Sequence, residues 1–215
     1  MTESLLVHEI FLSIQGESTF AGLPCAFDRL TGGDLRCFYC DTVYAFKGGK
    51  PMRIDDIVRE FENRCDFFGE PGNKLPLMEI TGGEPMLQKN VHPLMRHIMD
   101  LKCPSSGESD RMLPENIAHL KSTDEVKFVI GTEEYYGWAK GLLTTYRMAE
   151  RCPVLFSWVA PLEAHQRDES LKPVPDGHTP ISRRDLVERI TRDRLPDRFQ
   201  LQMHKFIWPP DEKGV

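Results

Sequence analysis

Residues 31 to 42 read TGGDLRCFYCDT, a glycine-rich turn that leads into a Cys-x-x-Cys pair formed by Cys37 and Cys40. Cysteine thiolates are the usual protein ligands of iron–sulfur clusters. Three thiolates at a Cys-x3-Cys-x2-Cys spacing bind three irons of a [4Fe–4S] cluster and leave the fourth iron open for another ligand. The position four residues before Cys37 is Gly33, so this stretch lacks the first of the three thiolates.

The Cys-x-x-Cys pair on its own also fits half of a zinc site or a redox-active dithiol. The sequence has no second Cys/His pair at zinc spacing and no thioredoxin-like context, so neither alternative gains support. Cys25 is not expected to replace the missing thiolate. It lies at the far end of the predicted strand 24–30, roughly 16 Å from Leu30, where the cluster-like loop follows. The remaining cysteines stand alone, which is typical of free, buried thiols.

Length and composition are those of an ordinary globular protein. A chain of 215 residues matches one domain, which we place at 1–215. The formal net charge of −6 leaves no broad basic face and argues against a dedicated nucleic-acid binder. No apolar run has the length of a membrane span and the first residues lack a signal-peptide pattern, so we expect a cytoplasmic protein without a membrane anchor.

Runs of strand character alternate with amphipathic helical runs along the chain. Predicted strands cover residues 7–14, 24–30, 75–80, 97–101, 125–130, 153–159 and 199–204, and predicted helices begin near Ile54, Pro85, Tyr135 and Pro180. This alternation predicts an α/β fold with a parallel sheet, and in such folds sites form at the carboxyl ends of the strands. Polar residues occur at or near these ends: Glu17, Arg29, Cys37, Thr81, Lys127 and His204.

Five short motifs follow one another along the chain. They are Ile14-Gln15-Gly16-Glu17, Phe27-x-Arg29, Cys37-x-x-Cys40-Asp41-Thr42, Thr81-Gly82-Gly83-Glu84-Pro85 and Gln202-x-His204-Lys205. The set resembles the 7-carboxy-7-deazaguanine synthases, radical S-adenosylmethionine enzymes of queuosine and deazapurine biosynthesis. Each motif alone is a weak to moderate signal, whereas five in family order across nearly the whole chain are specific.

The resemblance implies a trimmed, partial (β/α) barrel of the radical S-adenosylmethionine type that binds a [4Fe–4S] cluster, S-adenosylmethionine and Mg2+. It implies a lyase reaction in which a 5′-deoxyadenosyl radical takes a hydrogen atom from 6-carboxy-5,6,7,8-tetrahydropterin. Ring contraction and loss of ammonia then give 7-carboxy-7-deazaguanine. Members of the family tend to form homodimers and receive electrons from a flavodoxin-type donor.

The resemblance also implies roles for individual residues. Cys37 and Cys40 would be cluster ligands, with the first ligand missing at Gly33, and Thr42 would approach Mg2+ beside the substrate carboxylate. The cofactor side would comprise Gly82, Gly83, Glu84, Lys102 and Lys127. The pterin side would comprise Gln15, Glu17, Arg29, Thr81 and His204. These residue types suit a pterin, because carboxylates and amides match its donors and acceptors and a guanidinium binds a carboxylate in bidentate fashion.

Each of these residues also has a purely structural interpretation. Glu17 and Arg29 would form an ordinary surface ion pair, His204 a hydrogen-bonded strand histidine, and Thr81 part of a simple turn. For any one of them structure alone would be the better interpretation, but their joint occurrence in family order favours function. Two alternatives stay open: a cluster-free homologue that binds pterins or deazapurines, and a zinc-stabilised structural module.

Two further features depart from the family pattern. Asp28 shares a strand face with Ala26 and Leu30, where an apolar residue is usual and a buried carboxylate is costly. The segment between Pro85 and Leu101 is short, so the barrel is expected to be one strand–helix unit smaller than usual. The missing unit includes a turn that in the family contacts S-adenosylmethionine.

Overall fold

The computed structural model describes residues 4–65, 77–85, 88, 91, 98–101, 114–209 and 212–214. The first sheet contains β1 (Ser4–Ile14), β2 (Pro24–Leu30), β3 (Lys50–Arg53) and β4 (Leu77–Thr81), in the order β3-β1-β2-β4. The second sheet contains β5 (Ile98–Leu101), β6 (Glu125–Ile130), β7 (Val154–Trp158) and β8 (Arg198–Gln200), in sequence order. The α-helices described are α1 (Ile54–Cys65), α2 (Glu133–Thr145), α3 (Arg183–Asp193) and α4 (His204–Ile207).

The second sheet is parallel throughout, as the alternation of strands and helices predicts. The first sheet is mixed: β2 and β4 are parallel, whereas β1 pairs antiparallel with both β2 and β3. The reason is the short connection 15–23 between β1 and β2, since a parallel crossover needs about a dozen residues or more. The predicted parallel pairing is therefore found throughout the second sheet and between β2 and β4, whereas β1 departs from it.

The second sheet carries the largest apolar core. Val126, Phe128 and Ile130 alternate along β6, which directs them to one side of the sheet. Tyr135 and Ala139 of α2 pack against this side and are fully buried. The apolar stripe predicted for this helix is therefore the stripe that covers the sheet.

The two faces of β2 have different surroundings. Ala26 and Leu30 face a core that includes Ile57 and Phe61 of α1. On the opposite face the rings of Phe11 and Phe27 stack with centroids 5.0 Å apart, beside the fully buried Cys25. This opposite face, here called the inner face, also carries Arg29.

Asp28 lies on the α1 side of β2, as the strand alternation predicts, and is fully buried. Neither carboxylate oxygen has a hydrogen-bond partner in the described part of the chain. Burial raises the pKa of Asp28 to about 7.

Most predicted elements are present, and two are corrected. Helix α3 begins at Arg183 rather than at Pro180, because the Ser182 hydroxyl caps it and Pro180 instead pairs with Thr132 in an isolated bridge. The last strand ends at Gln200, and His204 lies in α4, because the Met203 N–H bonds to the Gly16 carbonyl and turns the chain.

The sequence patterns did not predict β3. The predicted helix that begins near Pro85 continues outside the described residues, and Lys102 also lies outside them. No helix within the described ranges combines the length and apolar character needed to cross a membrane.

Candidate functional site

The connection that follows β1 joins the two sheets through polar side chains. Glu17 lies 3.2 Å from Lys127 Nζ of β6 and accepts a hydrogen bond from the Ser157 hydroxyl of β7. The Thr19 hydroxyl and backbone N–H donate to Glu125 at the start of β6. Glu17 therefore stands between the sheets, attached to two strands of the second one.

The environment of Glu17 favours its ionised form. Burial opposes ionisation, but the Lys127 ammonium and the Ser157 hydroxyl outweigh it and hold the pKa of Glu17 below its usual range. Lys127 was expected on the cofactor side and near a strand end. It lies within β6, and its described ion pair is with Glu17.

Gln15 connects Glu17 with Glu79, a residue of β4 that the motifs did not include. Gln15 Nε2 donates to Glu79 Oε2, and the Glu17 N–H donates to Gln15 Oε1 over 3.1 Å. Burial raises the pKa of Glu79, with the Gln15 N–H and the Lys127 charge opposing the shift. The sequence feature that could have identified Glu79 is its position as a lone acid in the otherwise apolar run 75–80.

Arg29 is nearly buried on the inner face of β2. Its Nε donates to Glu9 Oε1 over 2.8 Å, and the same oxygen accepts a 2.9 Å hydrogen bond from the Tyr44 hydroxyl. The guanidinium carbon lies 5.2 Å from the centroid of the Phe11 ring and 5.7 Å from that of Tyr44. Arg29 is thus a cation fixed between two rings and one carboxylate.

The C-terminal residues also reach this group. Lys213 Nζ lies 4.6 Å from the centroid of the Tyr44 ring. A Cβ built on Gly214 would be 3.6 Å from Glu9 Oε2 and 3.7 Å from Phe11 Cβ. The end of the described chain therefore lies against Glu9, Phe11 and Tyr44, the residues that contact Arg29.

His204 lies between the cluster-like loop and the turn after β1. Its Nε2 is 3.7 Å from Asp41 Oδ2, and the neighbouring Lys205 Nζ is 2.8 Å from the same oxygen. His204 and Lys205 outweigh the effect of burial and hold the pKa of Asp41 well below its usual range. A Cβ on Gly16 would lie 3.0 Å from His204 Nδ1, so glycine gives the imidazole its space.

The glycine turn after β4 packs directly on the loop after β2. Gly82 and Gly83 both have positive φ, and a Cβ on Gly83 would lie 1.5 Å from the Gly32 carbonyl oxygen. The Glu84 N–H donates to that oxygen over 2.9 Å. Thr81 pairs in register with Arg29. The contact between the two loops requires Gly83, and it brings the predicted cofactor turn beside the predicted cluster loop.

The cluster-like loop is held by several local contacts. The Arg36 guanidinium donates to the Gly33 and Leu35 carbonyl oxygens and lies 4.2 Å from the centroid of the Phe46 ring. Cys37 is buried and Cys40 is partly exposed, with its Sγ 3.7 Å from Thr42 Oγ1. The loop is therefore a structured segment that brings Cys40 and Thr42 together.

Comparison with known proteins assigns the chain to a family. It is 36% identical over 239 residues to the 7-carboxy-7-deazaguanine synthase of Koribacter versatilis, covering 97% of this chain and 99% of that protein. It is also 36% identical to the 7-carboxy-7-deazaguanine synthase of Chlorobaculum tepidum, covering 98% of this chain and 97% of that protein. The chain belongs to the 7-carboxy-7-deazaguanine synthase family.

The fold agrees with this assignment. QueE from Escherichia coli superposes with a TM-score of 0.61 at 16% identity, over 94% of this chain and 95% of that one. The prediction of an α/β fold is confirmed, and the two sheets form no closed barrel within the described ranges, as in a trimmed, partial one. No family model matches the chain.

The chain is shorter than its relatives in this family. Its alignment with the Koribacter versatilis synthase extends over 239 positions, although the whole chain has 215 residues, so the relative contains residues with no counterpart here. This difference supports the expectation that one strand–helix unit is missing.

The residues present do not fit the cluster that the family resemblance implies. Gly33 contributes no thiol, and Cys25 is fully buried on β2, where burial raises the pKa of its thiol to about 12. Across the described side chains no three His, Cys, Asp or Glu residues are arranged to hold a metal ion. The loop thus supplies the thiols of Cys37 and Cys40, which are two of the three ligands required.

Proposed function

We propose that the space between the two sheets binds 6-carboxy-5,6,7,8-tetrahydropterin. In the family this compound undergoes radical ring contraction to 7-carboxy-7-deazaguanine with loss of ammonia. The observation that carries the proposal is the Glu17 group: an ionised carboxylate held between the sheets by Lys127 and Ser157. A carboxylate in a largely buried position is well suited to accept hydrogen bonds from the N–H groups of a pterin edge.

The other residues predicted for the pterin side supply complementary chemistry. Arg29 would pair with the ligand carboxylate, and its contacts with Phe11 and Tyr44 fix the plane of the guanidinium before the ligand arrives. His204 would offer an imidazole nitrogen to a ring heteroatom, with Asp41 holding the opposite side of the ring. Preorganised groups of this kind lower the entropy cost of binding.

The cofactor side follows from the family resemblance. Gly82, Gly83 and Glu84 would take the amino group of S-adenosylmethionine, and Thr42 would approach Mg2+ beside the substrate carboxylate. The same resemblance predicts that Lys102 contacts the cofactor, that a flavodoxin-type protein supplies electrons and that the chain forms a homodimer. The place of the reaction in queuosine biosynthesis would follow from the family.

A second candidate function is favoured by Gly33. A chain with two cluster thiolates would bind the pterin or a deazapurine without converting it. The ring contraction would then be absent because the loop fails to assemble a stable [4Fe–4S] cluster. This candidate shares the pterin-binding proposal and differs from the first only in turnover.

The binding proposal is tested by anaerobic calorimetry with the carboxylated tetrahydropterin and no other cofactor. We expect saturable binding to the wild-type chain and a loss of about tenfold or more in Glu17→Gln, because an amide then replaces the carboxylate that accepts hydrogen bonds from the pterin N–H groups. Glu188→Gln, an exposed residue of α3, is the matched control and should bind like wild type. Absence of binding to the wild-type chain would refute both candidates.

Turnover is tested by anaerobic reconstitution with iron and sulfide. About four irons per wild-type chain, with cleavage of S-adenosylmethionine, would support the active synthase. A colourless wild-type chain beside an iron-loaded Gly33→Cys variant would support the binding homologue. A Cβ at residue 33 would lie 3.1 Å from the Gly83 carbonyl carbon, so the cysteine needs only a small shift of the turn. Gly33→Cys combined with Cys37→Ser controls for adventitious iron.

A further inference from the structure

Glu79 is a carboxylate on the inner face that belongs to none of the five motifs. It pairs in register with Phe27 on the adjacent parallel strand, so the two side chains project from the same face of the sheet. That face carries the stacked Phe11 and Phe27 rings and, one step further along β2, Arg29. Glu79 therefore lies on the inner face, beside residues to which we assign the pterin.

The contacts of Glu79 fix the orientation of the Gln15 amide. Gln15 Nε2 donates to Glu79, while Gln15 Oε1 accepts the Glu17 N–H at 3.1 Å. If the amide turned over, its oxygen would face the Glu79 carboxylate and its NH2 group would face the Glu17 N–H. Two acceptors and two donors would then oppose each other, and both hydrogen bonds would be lost.

A Gln15 amide with a fixed orientation has a defined remainder to offer a ligand. Within the described residues, one of its two N–H groups and one of its two lone pairs are used, which leaves one donor and one acceptor at set positions. A glutamine that is free to rotate presents either atom in either place. A fixed glutamine can therefore distinguish a heterocycle with a donor at a given position from one with an acceptor there.

We propose that Glu79 is a positioning residue that acts through Gln15 and lets the binding site distinguish 2-amino pterins, the ligand class of the proposed function, from the corresponding 2-oxo lumazines. The two ring systems differ at C2 and at the adjacent N1: the pterin has an amino donor and a nitrogen acceptor there, and the lumazine has a carbonyl acceptor and an N–H donor. A polar site built for one pattern rejects the other because groups are left unpaired. The inference rests on the proposed function, since it concerns the same pocket.

The test compares binding of 6-carboxy-5,6,7,8-tetrahydropterin and its 2-oxo lumazine counterpart by anaerobic calorimetry. We expect the wild-type chain and the Glu188→Gln control to prefer the pterin by about tenfold or more. In Glu79→Gln the preference should fall severalfold, with the affinity for the lumazine rising relative to that for the pterin. Circular dichroism and thermal unfolding establish that the variant is folded.

A double-mutant cycle separates action through Gln15 from a general effect of residue 79. In a Gln15→Ala background, Glu79→Gln should change the pterin-to-lumazine ratio no further. An unchanged ratio in the Glu79→Gln single variant, or a full effect that persists without Gln15, would overturn the positioning role while leaving the proposed function intact. If the wild-type chain binds neither compound, the proposed function fails and the selectivity proposal fails with it.

Discussion

At the scale of single residues, Asp28 shows what a strand pattern reveals and what it leaves open. Strict alternation along 24–30 predicted that Asp28 faces the α1 side, and the structure has it fully buried there. The missing partners of its two oxygens follow from the packing of α1 and the neighbouring strands, which the alternation does not describe. The position of Asp28 on the buried face was predictable from the sequence, whereas the lack of hydrogen-bond partners for its oxygens was not.

Asp28→Val should stabilise the protein, and the gain should grow with pH. The pKa of Asp28, about 7 in the folded chain, lies above that of an unfolded aspartate, so the folded state binds more protons between about pH 4 and pH 7. The wild-type free energy of unfolding should therefore fall across that range, by on the order of 3 kcal/mol, and the variant should lack this slope. Urea unfolding at pH 5 and pH 8 checks it, and parallel profiles of the two proteins would contradict it.

Gly83 is a residue whose identity is fixed by backbone geometry. Its φ is +43°, and a Cβ there would lie 1.5 Å from the Gly32 carbonyl oxygen. Gly83→Ala should therefore cost at least about 3 kcal/mol of folding free energy.

The matched control for Gly83 is Gly137→Ala in α2, where an added Cβ meets no atom within 4 Å. That substitution should stabilise the chain by roughly 0.5–1 kcal/mol, because alanine favours the helix. Thermal unfolding of both variants measures the difference. An equal effect of the two substitutions would show that the loop contact at Gly83 gives way easily.

At the scale of elements, local patterns predicted the long elements and missed two short ones, β3 and α4. Helix α2 and strand β6 satisfy their periodicity within 133–145 and 125–130. Helix α4 has four residues and depends on tertiary contacts: the Met203 N–H to the Gly16 carbonyl, and the Asp41 carboxylate to Lys205. The contact between Gln15 and Glu79 likewise depends on the register of β4, which the sequence does not specify.

Asp41→Asn should loosen α4 from the cluster-like loop. The substitution removes the charge that pairs with Lys205 at 2.8 Å and with His204 at 3.7 Å, and it should cost about 1–3 kcal/mol of stability. Nuclear magnetic resonance should show altered His204 imidazole signals. Asp56→Asn, in an exposed pair with Arg59, is the control and should change stability by less than about 0.5 kcal/mol. Unchanged His204 signals would contradict a role for Asp41 in holding the ring.

At the scale of the whole molecule, the two sheets have separate apolar cores and are connected by polar side chains. The described connections run from 15–20 to β6, β7 and β8, including Glu17 to Lys127, Thr19 to Glu125 and Ser18 to Gln200. This arrangement leaves charged and hydrogen-bonding groups between the sheets, where an apolar interface would exclude a polar ligand. The family resemblance named Glu17 and Lys127 among these groups, whereas the pairs of Thr19 with Glu125 and of Ser18 with Gln200 join residues more than 100 positions apart and follow from the fold.

Lys127→Met should weaken the connection between the sheets. It leaves the Glu17 carboxylate largely buried without its cation, which should cost about 3 kcal/mol. The pKa of Glu17 should then rise, so the variant should regain stability relative to wild type on acidification from pH 7 to pH 5. Adding Glu17→Gln should recover part of the loss.

The control for Lys127 is Lys140→Met, whose partner Asp193 also accepts from Tyr136 and Arg192. It should change stability by less than about 1 kcal/mol, because Lys140 is more exposed. Equal losses in the two lysine variants, by urea unfolding at pH 7, would contradict the special position of Lys127.

The placement of Lys213 on the Tyr44 ring makes the C-terminal segment a natural reporter of the pocket. Trypsin cleaves after lysine only when that side chain enters the protease, so Lys213 must leave Tyr44 before the bond to Gly214 is cut. The rate of this cleavage measures how often the segment detaches from the wall formed by Glu9, Phe11 and Arg29. Limited proteolysis followed by mass spectrometry can therefore follow ligand occupancy without a label, a chromophore or a catalytic assay.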